Sequence, residues 1–316
     1  MTRRRLAVIA VGGNALLTGP DRESIPDQYE AAYQTARRIV PLVREGWRVI
    51  VTHGNGPQIG FVLRRSELAR GEVPIVPMDY AGADIQGAVG YMFVQALENA
   101  LVESGMSDCA AAVVTRVEVA ADDPAFENPT KPIGFYMSEE VARELADCEG
   151  WIVREDAGRG WRRVVPSPTP VRIRDLDTIS ALADKVAVVV ACGGGGIPVF
   201  VGDDGSCTGA EAVIDKDLAS SLLARELGAD RFIVSTSVPR VAINFGKPDQ
   251  EWLDRVTLEE VLVLEAEGHF LAGSMGPKVR AVAEFVAESG QRGVITDIEH
   301  LAEAIDGNAG TQIVPS

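Results

Sequence analysis

The 316-residue chain has few histidines and cysteines, and it has less positive than negative charge. Its three histidines and four cysteines form no CxxC pair and no Cys/His ligand spacing, so the sequence predicts neither a zinc module nor a disulfide framework. Reduced thiols and a cytoplasmic location are the simplest interpretation. Asp and Glu outnumber Lys and Arg by 46 to 30, and the net charge of −16 repels phosphate backbones and anionic lipids. We therefore expect neither nucleic acid nor a membrane as a partner.

Long apolar runs are also absent. The longest one beyond the N-terminus, Val186–Cys192, is far shorter than the roughly 20 residues that a membrane helix needs. The apolar run of residues 6–17 resembles a signal peptide, but Gly12, Gly13 and Asn14 interrupt it and no small-x-small cleavage site follows. We interpret its first half as a strand.

The chain does contain short β-branched runs that alternate with longer amphipathic segments, a pattern typical of βαβ units around a buried parallel sheet. The fold class is therefore predicted to be α/β. The predicted strands are Leu6–Val11, Arg48–Thr52, Ala110–Thr115, Val186–Ala191, Arg231–Val234 and Gly293–Thr296. The predicted helices are Asp27–Glu45, Pro57–Arg70, Asp84–Ser104, Ser138–Cys148, Leu176–Lys185, Asp217–Gly228, Leu258–Glu267, Pro277–Ser289 and Ile298–Asp306.

The alternation is interrupted at two places. Between Val117 and Pro170 the chain is rich in Asp, Pro, Gly, Arg and Trp, which predicts an excursion from the sheet. Four consecutive glycines follow Cys192, and we expect the boundary between two lobes near this point, with residues 1–192 on one side and 193–316 on the other.

Three of the predicted strands run directly into glycine. They end in Gly12-Gly13-Asn14, in Gly54-Asn55-Gly56 and in the glycines after Cys192. Glycine lets backbone N–H groups approach an anion, and helices that follow would direct their positive dipole ends toward it. One such loop is equally well explained as a tight turn, but three at one sheet edge favour a phosphate site. Neither GxGxxG nor GxxxxGK[ST] occurs, so a typical Rossmann dehydrogenase and a P-loop ATPase are excluded.

Three of the few lysines occupy unusual settings. Lys131 follows Asn-Pro-Thr, Lys216 lies between two aspartates at a predicted helix start, and Lys278 lies in the first turn of a helix, where a cation is disfavoured unless an anion is also present. Taken singly, each is better explained as a solvated surface charge, but these motif settings weaken that explanation. Positive charges that face backbone N–H loops are, however, what phosphoryl transfer requires. Asp217 would then orient the lysines or help to hold a hydrated Mg²⁺.

Other chemistry-bearing residues give weaker signals. We interpret His53 as the source of a hydrogen bond within its loop rather than as a general base, and Cys192 as a small core residue rather than a nucleophile. Trp151 and Trp161 are predicted to pack the excursion. The segment after Asn244, Phe245-Gly-Lys-Pro, is predicted to form a turn that lines a nucleotide base pocket.

In combination these motifs resemble the carbamate kinases, within the amino acid kinase superfamily. The series keeps the family order from residue 6 onward: Gly12-Gly-Asn-Ala15, His53-Gly-Asn-Gly-Pro-Gln58, Gln86-Gly87 with Gly90-Tyr91, Asn128-Pro-Thr-Lys-Pro-Ile-Gly134, Glu155–Arg162, Val165-Pro-Ser-Pro168, Cys192–Pro198, Ala212–Asp217, Ile243–Asp249 and Gly273–Lys278. The resemblance implies reversible, Mg²⁺-dependent phosphoryl transfer between ATP and carbamate, with ADP and carbamoyl phosphate on the other side, usually run toward ATP synthesis. It also implies an eight-stranded, mostly parallel αβα sandwich that forms a homodimer.

The resemblance further implies roles for individual segments. Residues 1–192 would form the carbamate lobe, with a protruding subdomain at about 117–170, and residues 193–316 the nucleotide-binding lobe. The residues implied to hold the phosphoryl group and carbamate are Gly12, Gly13, Asn14, Gly54, Asn55 and Gly56. Those implied to be catalytic are Lys131, Lys216, Asp217 and Lys278. Those implied to contact the nucleotide are Lys216, Ser237, Val238, Asn244 and Lys278, and no side chain is assigned as a metal ligand because Mg²⁺ is carried with ATP.

Three positions depart from the family pattern. Pro239 stands where an aspartate near the nucleotide is usual, Ile85 replaces Ser or Thr, and Phe135 replaces Pro; we expect the last two to touch the substrate side. Two alternatives therefore stay open. One is a related kinase that acts on another small carboxylate or carbamate-like acid, and the other is a non-catalytic sensor that binds a nucleotide or an anion.

Overall fold

The computed structural model describes residues 4–12, 16, 22–156, 158–270 and 275–316. In these ranges the strands are β1 (Leu6–Val11), β2 (Arg48–His53), β3 (Ala110–Ala112), β4 (Arg116–Val119), β5 (Lys131–Met137), β6 (Val153–Glu155), β7 (Trp161–Val165), β8 (Pro170–Ile173), β9 (Val188–Val190), β10 (Ile197–Val201), β11 (Cys207–Gly209), β12 (Arg231–Thr236), β13 (Val241–Ile243), β14 (Glu251–Leu253), β15 (Arg255–Thr257), β16 (Gly293–Asp297) and β17 (Thr311–Val314). The helices are α1 (Ile25–Arg44), α2 (Gly56–Leu68), α3 (Met78–Glu103), α4 (Glu139–Glu149), α5 (Leu176–Ala183), α6 (Lys216–Glu226), α7 (Leu258–Ala266), α8 (Met275–Ser289) and α9 (Leu301–Asp306).

An eight-stranded sheet in the order β15-β17-β16-β12-β1-β2-β9-β3 forms the centre of the fold. Its neighbouring strands are parallel except for β16 and β17. Strands β1 and β9 are apolar along their whole length, and β2 and β12 carry apolar residues at their centres, because both faces of the sheet are covered. The predicted α/β class, with a mostly parallel sheet of eight strands, is confirmed.

Side-chain alternation along each strand separates the two halves of the core. In β1, Ala7, Ile9 and Val11 pack with α1, α2, α3 and α9, whereas Leu6, Val8 and Ala10 pack with α5, α6, α7 and α8. The sheet therefore lies between two helical layers. None of the helices in the described ranges has both the length and the apolar character to traverse a bilayer.

Local capping chemistry explains why most helix ends lie close to the predicted ones. Ser24 and Thr257 each form a capping box at the start of α1 and α7, and Gly150 ends α4 with a φ of 69°. The start of α3 is the exception, since it precedes the predicted Asp84 by more than one turn. There the backbone N–H of Met78 donates to Glu211, a contact 133 residues away that no local pattern reveals.

The excursion forms a separate small unit, as predicted. Strands β5, β7 and β6 pair as an antiparallel sheet, and α4 packs against it through a cluster that includes Trp151 and Trp161. Its first and last residues, in β4 and β8, instead pair within a four-stranded sheet with β10 and β11. The unit rests on α2, where a Cβ added to Gly60 would lie 2.0 Å from the Cα of Gly134. The division of the chain at residue 192 stays a prediction.

Candidate active site

The strands that end in glycine are neighbours in the sheet. β1, β2 and β9 are adjacent and parallel, so their carboxyl ends meet at one edge, which is where ligands bind in open α/β sheets. Gly12, directly after β1, lies against β12, since a Cβ there would come within 2.9 Å of the Ser235 carbonyl oxygen. Gly13 and Asn14 fall outside the described residues.

The second loop leads directly into a helix. Gly54 and Asn55 follow β2, Gly56 is the first residue of α2, and Asn55 occupies the N-cap position without a side-chain capping hydrogen bond. Because the first-turn N–H groups of a helix lack intrahelical acceptors, this end of α2 is suited to bind an anion. The stem of Lys216 packs over Gly54, as a Cβ on Gly54 would lie 3.8 Å from the lysine Cδ and Cε atoms.

His53 supports this loop from inside the protein. Its Nδ1 lies 3.0 Å from the Gly54 carbonyl oxygen, and its ring stacks on Phe93 at a centroid distance of 5.8 Å. Burial lowers the pKa of His53 to about 4, and the ring is therefore neutral at physiological pH. This agrees with a structural hydrogen bond rather than with proton transfer.

The third loop differs from the prediction. No α-helix follows the glycines; Gly193–Gly195 form one 3₁₀ turn, and the chain continues into β10. The loop is a packing junction, because a Cβ on Gly194 would lie 2.1 Å from Asn55 Nδ2 and one on Gly195 would lie 2.5 Å from the Ile214 carbonyl oxygen. Gln86 fixes the loop from α3 by donating to the Gly193 carbonyl oxygen at 3.1 Å. This loop therefore shapes the wall of the site through close packing, and it provides no helix dipole for binding an anion.

Two of the predicted lysines meet at one buried carboxylate. Lys216, the first residue of α6, places its Nζ 2.5 Å from Asp217 Oδ1, and Lys278, in the first turn of α8, places its Nζ 2.9 Å from Asp217 Oδ2. Burial alone would raise the pKa of Asp217, which is 4% exposed, but the two ammonium groups hold it well below its usual range. Burial also lowers the pKa of Lys216, against the attraction of Asp217. One carboxylate balances only one of the two ammonium charges, so a net positive charge remains.

The third lysine arrives from the excursion. Lys131, at the start of β5, places its Nζ 2.5 Å from Oδ2 of Asp215, the N-cap residue of α6. Burial raises the pKa of Asp215, but the charge and hydrogen bond of Lys131, together with the charge of Lys216, hold the pKa below its usual value. This ion pair joins the three-stranded sheet of the excursion to the start of α6, beside Lys216.

The three lysines, their two aspartate partners and the loop before α2 line one cleft of about 530 Å³. Its lining includes the predicted residues Gly54, Asn55, Gly56, Lys131, Lys216, Asp217 and Lys278. Among the described residues, four basic and three acidic side chains line it, the reverse of the acidic excess in the whole chain. Gly194, from the third predicted glycine loop, also lines the cleft, whereas sequence reasoning did not select Gln58, Tyr136, Arg162 or Asp215 as site residues, although all four line it. Only Asp215 carried a local signal, as an aspartate directly before a predicted helix.

Three of the predicted nucleotide residues, Ser237, Val238 and Asn244, lie elsewhere. Ser237 and Val238 follow β12, at the edge of the sheet that carries the glycine loops, and Asn244 follows β13 with a φ of 52° and donates to Asp249 at 2.9 Å. None of the three is among the described residues that line the cleft.

The positions that depart from the family pattern have different surroundings. Phe135 lines the cleft. Ile85 does not, because it lies on the buried face of α3, and the adjacent Gln86 makes the contact with the third loop. Pro239 is exposed beyond the end of β12.

The arrangement is suited to hold a group with several negative charges. Lysines from three segments, a helix N-terminus and a glycine-shaped wall converge on a cleft that is open to solvent on one side. Such preorganised charges stabilise charge that develops during a reaction without covalent participation of the protein.

Comparisons with known proteins agree with this geometry. The amino acid kinase family matches residues 5–297. The chain is 46% identical over 310 residues to a carbamate kinase of Pyrococcus furiosus, covering 98% of both chains. It is equally identical, at 46% over 310 residues, to the carbamate kinase-like protein YqeA of Escherichia coli, with 97% and 98% coverage. Among solved structures, carbamate kinase from Giardia lamblia bound to AMP-PNP superposes with a TM-score of 0.92, at 40% identity and full coverage of both chains.

Proposed function

We propose, from the premise that this chain belongs to the amino acid kinase family and within it to the carbamate kinases, that its cleft transfers a phosphoryl group reversibly between ATP and carbamate. ADP and carbamoyl phosphate stand on the other side, and we propose that the reaction runs toward ATP. The observation that carries the proposal is the shared carboxylate of Asp217, which holds Lys216 and Lys278 together in the cleft.

The two lysines would stabilise the migrating phosphoryl group. Its transition state spreads negative charge over three oxygens, and the protein contributes positioning and charge rather than a covalent bond. A lysine about 4 Å from a phosphate charge contributes about 4 kcal/mol at an effective dielectric constant of about 20, before desolvation is deducted. Asp217 would keep both ammonium groups oriented while leaving one positive charge for the phosphate.

The acceptor would lie at the N-terminus of α2. Backbone N–H groups of Gly54, Asn55 and Gly56, together with the dipole of α2, would bind the carbamate or the phosphoryl oxygens. Lys131 would contribute the third cation from β5. We propose the same role for Gly12, Gly13 and Asn14 at the end of β1.

The nucleotide would bind to the lobe formed by residues 193–316. The Giardia lamblia relative that was solved with AMP-PNP supports nucleotide binding by the same fold. Ser237, Val238 and Asn244 are the proposed contacts beyond the lysines, because the first two lie at the sheet edge that carries the glycine loops. Residues 1–192 would then form the carbamate lobe.

Mg²⁺ would enter with the nucleotide. In the described part of the chain no group of three or more His, Cys, Asp or Glu side chains could hold a metal ion, and both oxygens of Asp217 already contact lysines. These residues fit a cation that is bound mainly by substrate phosphates, as is usual for Mg²⁺. Its contribution would be to neutralise charge on the β- and γ-phosphates.

We also propose a homodimer in the cytoplasm. Strand β3 is one of the two edge strands of the sheet, and an edge strand offers backbone groups that could pair with a second chain. Tyr80, Tyr91 and Val102 are exposed on α3 beside it. The four cysteines are unpaired, which suits a reducing compartment. Light scattering on the purified protein would test the dimer, and a mass of 33.7 kDa would contradict it.

The proposed activity is tested by coupling ATP formation to a reporter enzyme. With ADP, Mg²⁺ and carbamoyl phosphate at millimolar concentrations, we expect continuous ATP production that stops when carbamoyl phosphate is omitted. Absence of ATP formation under these conditions would contradict the proposal that carbamate is the phosphoryl acceptor.

One observation favours a second candidate, a kinase for another small carboxylate or carbamate-like acid. Phe135 lines the cleft where the family usually has proline, and a carbamate kinase-like protein is as similar to this chain as a carbamate kinase is. In that case ATP consumption would appear with another small acid from a substrate panel and be absent with carbamate.

A further inference from the structure

Asp215 uses its two carboxylate oxygens for different purposes. Oδ1 accepts hydrogen bonds from the backbone N–H groups of Asp217 at 2.8 Å and Leu218 at 3.3 Å, and it thereby caps α6. Oδ2 contacts Nζ of Lys131 at 2.5 Å. One side chain therefore joins the helix that carries Lys216 to the first strand of the excursion.

The backbone before Asp215 is fixed on two sides. The N–H of Val213 donates to the Pro166 carbonyl oxygen at 2.9 Å, and the Ile214 carbonyl group packs so closely on Gly195 that a Cβ there would lie 2.5 Å from its oxygen. Lys131, by contrast, reaches the cleft through a flexible four-carbon side chain. In this pair Asp215 is the anchor and Lys131 the group that is held.

We infer that Asp215 is a positioning residue for the proposed reaction, which holds the ammonium group of Lys131 at the phosphate site. The inference rests on the proposed function. Lys216 and Lys278 already share the single charge of Asp217, so a third ammonium group in the same cleft is repelled by the excess positive charge. Asp215 offsets that repulsion, and its position within the α6 cap keeps Lys131 beside the other two lysines.

The test separates the cap from the ion pair. Asparagine is as good an N-cap as aspartate, so Asp215→Asn retains the cap of α6 and removes the charge that holds Lys131. We expect kcat/KM for carbamoyl phosphate to fall by about tenfold or more, because small displacements of positioning groups are costly, while the unfolding midpoint stays close to that of the wild type. Asp123→Asn is the matched control: Asp123 also caps a turn, at 2.8 Å from Ala125 N, and it lies outside the cleft.

A double-mutant cycle shows whether Asp215 acts through Lys131. In a Lys131→Met background, Asp215→Asn should change kcat/KM by less than about twofold, since the group that it positions is absent. An equal loss in both backgrounds, or no loss in the wild-type background, would overturn the inference.

Calorimetry with inorganic phosphate keeps this test independent of the proposed reaction. If the wild type makes no ATP, the proposed function fails, but the positioning of Lys131 can still be measured. Asp215→Asn and Lys131→Met should then weaken phosphate binding by similar factors, and the double variant should bind no more weakly than Lys131→Met alone. Unchanged binding in Asp215→Asn would overturn the inference.

Discussion

Asp217→Asn is the most informative single change because it removes the one charge that two lysines share. The substitution keeps the side-chain volume and leaves two ammonium groups, 2.5 and 2.9 Å from the former carboxylate oxygens, without a counterion. Removing one partner of a buried ion pair costs about 3–5 kcal/mol, against a total stability of about 5–15 kcal/mol for a domain. We expect the variant to fold and to be less stable by roughly this amount.

The same reasoning predicts that anions rescue the variant. Phosphate bound in the cleft beside the two lysines would supply the missing negative charge, so it should stabilise Asp217→Asn more than the wild type. A concentration 100 times the dissociation constant contributes about 2.7 kcal/mol. The assay is urea denaturation with and without inorganic phosphate at constant ionic strength. Asp175→Asn is the control, because Asp175 pairs with Arg116 at 2.7 Å outside the cleft and no phosphate-specific rescue is expected there. A variant as stable as the wild type, or equal stabilisation of both by phosphate, would refute the reasoning.

Two further predictions concern the loops that shape the cleft. Burial keeps His53 neutral with a pKa of about 4, so its contribution to the stability of the fold is complete above about pH 6.5 and is lost as the pH falls toward 4. The free energy of unfolding of the wild type, relative to that of His53→Gln, should therefore decline by about 3 kcal/mol across that window. A difference that does not change with pH would contradict the assignment. Gly194→Ala should lose about 1–3 kcal/mol more than Gly205→Ala in chemical denaturation, because both glycines have positive φ but only at Gly194 does the added Cβ meet a neighbour, Asn55 Nδ2 at 2.1 Å. Equal losses would show that Asn55 moves away at no cost.

Features that depend on local sequence were predictable. The strand runs and the glycines that end strands follow from neighbouring residues, and parallel pairing then places the loops at one edge. The convergence of Lys131, Lys216 and Lys278 on one cleft followed from unusual local settings together with the family resemblance.

Contacts between distant segments were not predictable in the same way. Glu211 accepts a hydrogen bond from the first residue of α3, 133 residues earlier in the chain, and Lys131 forms an ion pair with Asp215, 84 residues later. The third glycine loop was expected to lead into a helix, yet its glycines are required by close packing against Asn55 and Ile214. Periodicity and capping report only on a few neighbouring residues, and they carry no information about which segments a fold brings together.

The central claim is that Lys216 and Lys278, joined by Asp217, stabilise the phosphoryl group as it moves. Its most direct test is the turnover number for ATP formation from ADP and carbamoyl phosphate in Lys216→Ala and in Lys278→Ala, with Lys185→Ala, at an exposed site outside the cleft, as the control. We predict that each cleft variant loses about 10²-fold or more in kcat while its folding is retained, and that the control stays near the wild type. Turnover close to that of the wild type in both cleft variants would contradict the claim.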